Sequence, residues 1–471
     1  MKKILSVIFP YQLHLHMFQL EHYDISRTLS WIFSHFWKRS TQNKKPLVWT
    51  EKAKTIAQIS GFLTFVFLVL GWMLYGIIFG IIVALFLLVQ PYILITLSLF
   101  LIKPYEIWNR AKTIRNTRNK IASFKHTKVI GIAGSYGKTS VKDILYHLLS
   151  LQYKVLKTPL SYNTIFGIAQ VVDLELDDSY DFFICELGEF QPGDISEMCD
   201  MVLPAYGIMT GINNQHLERF KKIEHTTATV FELFDYLIKK NQKVVANVSN
   251  PFIMAEIQKR NAHNNVVSYG TDGSESCATN IIFGDDGSRF NLHIDGKAHT
   301  VQTPLLGNAH INNILGACVL SYQLGISLED IVKQLVIIPK VPHRFEQTLL
   351  PNGYLLVDNS YSSNSDSFRE ALEILKQVPR KYKILVTPGM VELGSESDQI
   401  HTNLGYLADQ VCTKLLLVGK SSRTQALAQG ISKEKVIFLD DIRNLWQVVG
   451  TFGFSPFETT ILIENDLPDN Y

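Results

Sequence analysis

The apolar residues of this chain are distributed unevenly, and the longest apolar run lies near the N-terminus. From Thr55 to Ile102 there is no Asp, Glu, Lys or Arg. A helix of that length would extend about 70 Å, roughly twice the thickness of a bilayer core. Residues 55–102 are therefore predicted to form two transmembrane helices, with a turn bracketed by Gly71 and Gly76. The alternative is a helical hairpin buried inside a soluble protein.

Both flanks of this run are basic, with Lys and Arg clustered in residues 38–54 and again in residues 103–128. Because basic segments stay on the cytoplasmic side, both ends of the run are predicted to be cytoplasmic and the turn external. The protein would then be a multi-pass protein of the cytoplasmic membrane, with its other domains in the cytoplasm. Residues 1–54 are predicted to form an amphipathic, basic region, and residues 103–126 a basic linker.

After Lys128 the pattern changes to short apolar runs that alternate with helical periodicity. Runs such as DFFICEL and QKVVANV are typical of buried strands, and the segment TSVKDILYHLLSLQ has helical spacing. A second such series, with GYLLVDN, KILVTPG and KLLLVG, follows a break near Pro342. The alternation predicts an α/β protein with mostly parallel sheets. We expect a central domain over residues 127–341 and a Rossmann-like domain over residues 342–471.

Composition narrows the classes of function. The chain has 471 residues, a net charge of +2 and a pI of about 8.1, so its charge does not indicate a nucleic-acid partner, and none is predicted. Its five cysteines contain no CxxC pair. This usage fits a reducing compartment and argues against a zinc ribbon or a disulfide scaffold.

The segment GIAGSYGKTSVKDIL joins a predicted strand to a predicted helix. N–H groups at a helix start bind anions, glycines let the chain wrap closely, and a lysine adds positive charge near terminal phosphates. The spacing fits GxxGK[ST][ST], because Ile132 stands where the strict GxxxxGK[ST] pattern has glycine. We predict a phosphate-binding loop of a P-loop ATPase domain; the alternative is a tight turn with a solvated lysine. Its residues are Gly134, Ser135, Tyr136, Gly137, Lys138, Thr139 and Ser140.

This loop resembles that of the Mur ligase family, ATP-dependent amide-bond enzymes of peptidoglycan synthesis. Further motifs similar to the family's follow in order: SYNTIFG, CELGEFQPGDI, TGINNQHLERF, LLGNAHINNILGA and VPHRFE. The resemblance implies that Asn313 contacts adenine. It implies metal binding by Thr139, Glu186 and His216, and catalytic roles for Lys138, Glu186, His216 and Arg344, of which Arg344 also lies near the phosphates.

Two later segments, VDNSYSSNSDSFREAL and TPGMVELGSES, resemble one branch of that family. Its members add D-alanyl-D-alanine to a UDP-linked muramoyl peptide. The resemblance implies that Asp358 and Asn364 belong to the nucleotide site, at the carboxyl edge of the second sheet, where ligands of parallel sheets bind. The alternative for both residues is an ordinary loop at a strand end.

The sequence also departs from the family's pattern. Val230 stands where the family has a lysine that becomes carbamylated and helps to hold a second metal, while Glu232 matches the nearby glutamate. Ala309 and His310 stand where the family tends to have His-Asn, and Asn359 replaces the second aspartate of a D-D-S-Y run. The segment ILIENDLPDNY stands where the branch has K-G-S-R. The apolar run Thr55–Ile102 takes the place of the first domain, which in soluble members of the family grips the uridine nucleotide.

We therefore expect an ATP-dependent amide-bond ligase of peptidoglycan precursor synthesis. An amine does not displace oxide from a carboxylate at neutral pH, so the carboxylate must first become an acyl phosphate. The expected cofactors are ATP and Mg²⁺. The expected partners are a muramoyl-peptide donor, D-alanyl-D-alanine or another amine, and the bacterial inner membrane. Two alternatives are a ligase for lipid-linked muramoyl peptides and a catalytically degenerate nucleotide-binding membrane scaffold.

Overall fold

The computed structural model describes residues 11–21, 23–34, 47–213, 223–271, 274–360, 365–391, 393 and 396–465. The chain forms two compact units, of which the first ends at Lys112 and the second begins at Thr113. The predicted membrane segment belongs to the first unit. The predicted phosphate loop belongs to the second.

The first unit is helical. Its helices are α1 (Tyr11–Leu20), α2 (Ile25–Ser34), α3 (Glu51–Tyr75), α4 (Ile77–Val89) and α5 (Pro91–Ser123), and the last of these continues into the second unit. Gly76, with a φ of 91°, separates α3 from α4, and this positive φ favours glycine. The predicted turn is corrected to this single residue, because Gly71 lies inside α3.

Helix α5 does not end where the apolar run ends. It begins at Pro91, since proline is accommodated in the first turn of a helix, and it continues to Ser123. The segment predicted as a basic linker is therefore helical as far as Ser123, because Lys and Arg are good helix formers. Two apolar helices are thus followed by a third that is apolar at its start and basic towards its end.

The second unit contains a nine-stranded sheet. Its strands are β1 (Lys128–Ala133), β2 (Val155–Lys157), β3 (Phe182–Glu186), β4 (Tyr206–Met209), β5 (Val244–Asn247), β6 (Val266–Gly270), β7 (Ser276–Gly284), β8 (Gly287–Ile294) and β9 (Lys297–Thr303). The order is β2-β3-β1-β4-β5-β6-β7-β8-β9. Pairs from β2 to β7 are parallel, and the last two pairs are antiparallel. The prediction of a mostly parallel sheet is confirmed, and the antiparallel strands were not predicted.

Helices cover this sheet on both faces. They are α6 (Lys138–Leu149), α7 (Ile165–Leu174), α8 (Asp194–Val202), α9 (Ile223–Ile238), α10 (Pro251–Lys259), α11 (Asn308–Gln323) and α12 (Leu328–Val336). Successive side chains of a strand point to opposite faces, so Ile130 and Ile132 of β1 lie in one core, and Val129 and Ala133 lie in another. A strand buried on both faces explains the unbroken apolar run VIGIA.

A six-stranded sheet follows. Its strands are β10 (Glu346–Leu349), β11 (Leu355–Asn359), β12 (Tyr382–Thr387), β13 (Lys414–Val418), β14 (Val436–Leu439) and β15 (Thr459–Glu464). Its helices are α13 (Ser365–Gln377), α14 (Ser397–Val411), α15 (Ser422–Gln429) and α16 (Leu445–Gly450). The order is β10-β11-β15-β12-β13-β14, in which only the β10–β11 pair is antiparallel.

The two sheets of the second unit share one continuous core. Ile311 of α11 and Val357 of β11 belong to the same cluster of buried apolar residues. The predicted domain boundary between residues 341 and 342 lies between α12 and β10. Several of the functional candidates lie where the loop after β1, the start of α11 and the start of α13 come together.

Candidate active site

The phosphate loop joins the buried strand β1 to helix α6, as the sequence predicted. Gly134 and Gly137 have φ values of 147° and 83°, which favour glycine. A Cβ atom on Gly137 would overlap the side-chain oxygen of Asn313, and one on Gly134 would overlap the Thr210 hydroxyl. The loop therefore leaves no room for side chains at either glycine, and the N-terminus of α6 begins directly after it.

Lys138, the first residue of α6, forms an ion pair with Glu189. Its Nζ lies 2.8 Å from Glu189 Oε2 and 3.0 Å from Oε1, and it also donates to the carbonyl oxygen of Gly134. The side chains of Lys138 and Glu189 are 11% and 3% exposed. Glu189 lies in the segment CELGEFQPGDI but was not singled out from the sequence, because its contact joins it to a lysine 51 residues away.

Glu186 ends β3, directly beside β1 in the sheet. Its Oε2 accepts a hydrogen bond of 3.2 Å from the Thr139 hydroxyl, and its Oε1 lies 2.6 Å from Lys142 Nζ. The side chains of Glu186 and Lys142 are each 1% exposed, and Lys142 also donates to the carbonyl oxygen of Leu160. The predicted metal ligands Thr139 and Glu186 are thus adjacent, and Lys142 is a buried partner that the sequence did not identify.

A cavity of about 220 Å³ lies next to the loop. Both sheets contribute to it through the helices and loops at their edges. Of the predicted residues, Tyr136, Gly137, Ser140, Asn313 and Arg344 line this cavity. It is also lined by Asn213, Asn308, Ala309, His310, Asn312, Phe345, Asn359, Asp366, Ser367 and Glu370.

Asp358 is not among the residues that line this cavity. Its Oδ2 lies 2.8 Å from Nδ1 of His343, and the Asp358 carboxylate raises the pKa of that imidazole.

The neighbouring Asn359, which replaces an aspartate of the family, does line the cavity. Its amide donates to Glu464 Oε2 at 2.8 Å and to Ser367 Oγ at 3.1 Å. An amide suits position 359 because an aspartate there would place a second buried carboxylate beside that of Glu464.

Two hydrogen bonds at the start of α11 connect this helix to the elements across the cavity. Glu370 of α13 accepts a hydrogen bond of 2.7 Å from the Ala309 N–H, and burial raises the pKa of Glu370 to about 7. His310 Nε2 lies 3.0 Å from the carbonyl oxygen of Arg344, and burial lowers the pKa of His310 to about 4. Because a carbonyl only accepts, the neutral His310 ring donates to it. His310 thereby holds the turn that carries Arg344.

The remaining predicted positions are distributed as follows. His216 and Asn364 lie outside the described residues. Val230 lies on α9 and is fully buried in the core that this helix packs against. Glu232 accepts hydrogen bonds of 2.7 and 2.8 Å from the N–H groups of Gly193 and Ser196, which begin α8, and burial raises the pKa of Glu232. Glu232 thus satisfies the start of a helix.

The donor set fits a nucleotide with a hard divalent cation. The two glycines make a cradle that any Cβ would fill. The buried Ser140 hydroxyl, which lines the cavity, makes no hydrogen bond within the described part of the chain. The Thr139 hydroxyl and the Glu186 carboxylate are oxygen ligands of the kind that Mg²⁺ takes. A loop of this kind, opening on a cavity shared with a second parallel sheet, belongs to an enzyme that uses the terminal phosphoryl group of a nucleotide.

Comparison with known proteins identifies the family. Residues 132–321 match the Mur ligase middle domain. The UDP-N-acetylmuramoyl-tripeptide–D-alanyl-D-alanine ligase of Rickettsia prowazekii (strain Madrid E) is 30% identical over 309 residues, which cover 64% of this chain and 68% of that protein. The ligase of the same name from Escherichia coli (strain K12) is 29% identical over 309 residues, which cover 65% and 68%.

A solved structure has the same fold. The MurF ligase from Thermotoga maritima in complex with ADP superimposes with a TM-score of 0.66 and 23% identity, over 76% of this chain and 80% of that chain. The chain belongs to the Mur ligase family. The predicted family is confirmed, and so are the ATP-dependent ligase class and the cofactors ATP and Mg²⁺.

Proposed function

We propose that this enzyme joins D-alanyl-D-alanine to a carboxylate of a muramoyl-peptide precursor of peptidoglycan. The observation that carries the proposal is that Lys138, folded back on the phosphate loop, and the Thr139–Glu186 contact lie beside a cavity to which elements of both sheets contribute. The names of the relatives, which are ligases of a UDP-N-acetylmuramoyl tripeptide and D-alanyl-D-alanine, support it. The segments VDNSYSSNSD and TPGMVELG support the same branch of the family.

The residues of the chain have separate tasks in this proposal. ATP, when bound, supplies the phosphoryl group that turns the donor carboxylate into an acyl phosphate. Lys138 holds negative phosphate oxygens, and Arg344 adds positive charge at the cavity. Thr139 and Glu186 present the oxygen atoms that hold Mg²⁺. The contacts of Asn313 with adenine, of His216 with metal, and of Asp358 and Asn364 with nucleotide remain predictions.

The test is amine-dependent release of ADP and phosphate by the full-length protein. Lys138→Ala is expected to abolish this release, because the phosphate oxygens lose their nearest cation. Lys128→Ala is the matched control, since Lys128 is exposed at the start of β1. Undiminished turnover by Lys138→Ala would remove the loop from the mechanism.

The muramoyl-peptide donor is UDP-linked in this proposal, as in the names of the relatives. The charge-free run Thr55–Ile102 supports the alternative of a lipid-linked donor, which would be presented at a bilayer surface. Product formation with UDP-linked and with undecaprenyl-linked muramoyl peptides, measured under one condition, distinguishes the two. Turnover of only the lipid-linked donor would favour the alternative.

A catalytically degenerate scaffold is the second candidate. The buried Val230, at the place of the family's carbamylated lysine, is the observation that favours it. Such a scaffold would bind ATP and Mg²⁺ but would release no ADP with any combination of muramoyl peptide and amine. A ligase would release one ADP for each amide bond formed.

We further infer that the protein is attached to the cytoplasmic membrane, with its catalytic sheets on the cytoplasmic side. Helix α3 is long and apolar enough to cross a membrane, and only 17% of its most apolar 18-residue stretch is buried in the protein. The basic residues on both flanks support cytoplasmic ends. Recovery of the full-length protein in the soluble fraction of a cell lysate would refute this attachment without affecting the ligase proposal.

A further inference from the structure

The hairpin of α3 and α4 begins at a base of packed helices, which has an apolar core and also contains polar and charged contacts. The start of α3 packs against α1 and α5, with Ala53 in the core of this base. Ser60 Oγ lies 3.0 Å from Ser98 Oγ, and the Lys52 ammonium forms an ion pair of 2.7 Å with Glu106. Ionised groups are costly in hydrocarbon. This base therefore marks where the hairpin leaves the aqueous phase.

Beyond the base the hairpin is apolar around most of its circumference. Four side chains near its tip are at least 70% exposed: Met73, Leu74, Tyr75 and Ile78. Further exposed apolar residues are Phe62, Phe65, Phe67, Leu70, Trp72, Ile77, Phe79, Ile81, Ile82, Leu85 and Phe86. A contiguous apolar surface of this extent is not left in water. Lipid hydrocarbon is the occupant that fits, because no charged residue interrupts the surface.

The second limb of the hairpin is short for a bilayer. The charge-free part of α3, Thr55 to Tyr75, is about 31 Å long, whereas the 13 residues of α4 extend only about 20 Å. The hydrocarbon core of a bilayer is about 30 Å thick. Helix α5 does not prolong the second limb, because its axis is turned 85° from that of residues 77–87.

The hairpin is closed tightly at its tip. A Cβ atom on Gly71 would lie 2.9 Å from Gly80 Cα, so the limbs approach backbone to backbone, as small residues allow in membranes. The turn is the single residue Gly76. Its N–H donates to the Trp72 carbonyl at 2.9 Å, and its own carbonyl accepts from the Gly80 N–H at 3.2 Å. Both polar backbone groups of the turn are thus satisfied without water, as hydrocarbon requires.

We propose that this hairpin is a re-entrant anchor, which enters the bilayer from the cytoplasmic side and ends, at Gly76, inside the hydrocarbon core. Helix α5 then lies along the surface. Its exposed Leu101, Tyr105 and Trp108 meet the interface, and Lys112, whose Nζ is 4.9 Å from the Trp108 ring centroid, meets anionic headgroups. The inference rests on the proposed membrane attachment and replaces two predicted spans by one hairpin that does not cross.

The test is cysteine labelling with a membrane-impermeant maleimide in right-side-out and inside-out vesicles from cells that express the full chain. Tyr75→Cys reports the tip, and Thr55→Cys, exposed near the base, is the control on the same helix. Both variants carry Cys277→Ala, because Cys277 is the partly exposed native cysteine and the other four are buried. We expect labelling of Thr55→Cys in inside-out vesicles, and labelling of Tyr75→Cys in neither orientation until detergent is added.

Labelling of Tyr75→Cys in right-side-out vesicles would overturn the proposal, and Trp72 and Tyr75 would then mark the far interface. Labelling of Tyr75→Cys in intact inside-out vesicles would show that the hairpin is not inserted.

A second experiment does not depend on labelling. Met73→Lys is expected to lower the ratio of membrane-bound to soluble protein about tenfold or more, and Met73→Ala to leave it unchanged. Full membrane binding by Met73→Lys would contradict a tip in hydrocarbon.

Discussion

Two lysines four residues apart on α6 each pair with a glutamate from another part of the chain, and the two pairs differ in burial and in partners. Lys142 and Glu186 are both 1% exposed, and Lys142 has a second partner in the protein backbone. Lys138 is 11% exposed and pairs with Glu189 at the mouth of the loop. We therefore expect different roles for the two lysines: Lys142 stabilises the fold by neutralising the buried Glu186, and Lys138 can exchange its carboxylate partner for a phosphate.

Lys142→Met breaks the inner pair and has the largest expected effect on stability. It leaves the Glu186 carboxylate buried without its cation, which costs about 3–5 kcal/mol in comparable buried pairs. Urea unfolding in EDTA, so that Mg²⁺ does not replace the lost charge, measures the change. The double variant Lys142→Met/Glu186→Gln should recover most of the loss, because it removes the uncompensated charge. A single variant as stable as the wild type would contradict a structural inner pair.

Glu370 sharpens the comparison, because this buried carboxylate has no lysine partner among the contacts of the described chain. Burial raises its pKa from 4.5 to about 7. Between these values the folded protein holds a proton that the unfolded chain has released. The stabilising contribution of Glu370 is therefore complete below about pH 4.5 and is lost as the pH rises to about 7, by up to about 3 kcal/mol.

Glu370→Gln should remove this pH dependence. The amide oxygen of the variant can still accept the hydrogen bond that the Ala309 N–H donates to Glu370 Oε1 in the wild type, at 2.7 Å between nitrogen and oxygen. The difference in the free energy of unfolding between variant and wild type, measured from pH 4.5 to pH 7.5, should grow in favour of the variant. A difference that is constant over this range would contradict the raised pKa.

Glu189→Ala tests the outer pair and has the smallest expected effect. Glu189 competes with phosphate oxygens for Lys138, so its removal should tighten ATP binding, by up to about tenfold, equivalent to about 1.4 kcal/mol. Isothermal titration with Mg–ATP measures this change. Weaker binding by Glu189→Ala would mean that Glu189 supports the nucleotide and does not compete with it.

Much of the fold could be predicted from the sequence, because its signals are local. The strand before Gly134, the helix after Lys138 and the strands β11, β12 and β13 of the second sheet were predicted from apolar runs and periodicity, and the structure contains them. The antiparallel strands β7–β9 were missed because their apolar residues alternate with polar ones in a weak pattern. The length of the hairpin limbs also escaped prediction, because composition does not indicate where Gly76 and Pro91 interrupt a helix.

The candidate site was predictable where residues are neighbours in a motif. Lys138 and Thr139 belong to the loop, and Glu186 was inferred from a family segment. The partners Lys142, Glu189 and Glu370 were missed, since each acts on a residue far away in sequence. Lys142 stands in a helical segment where a lysine normally reaches solvent, and only the sheet contact between β1 and β3 reveals its buried partner.

The most direct test of the division between the two pairs is Mg–ATP binding by Lys138→Met, with its urea unfolding measured in parallel. The outer lysine is expected to matter more for the nucleotide than for the fold. We expect Lys138→Met to lose less stability than Lys142→Met, because Lys138 is the more exposed lysine, and to lose most of its affinity for Mg–ATP. A folded Lys138→Met that binds Mg–ATP as tightly as the wild type would contradict it.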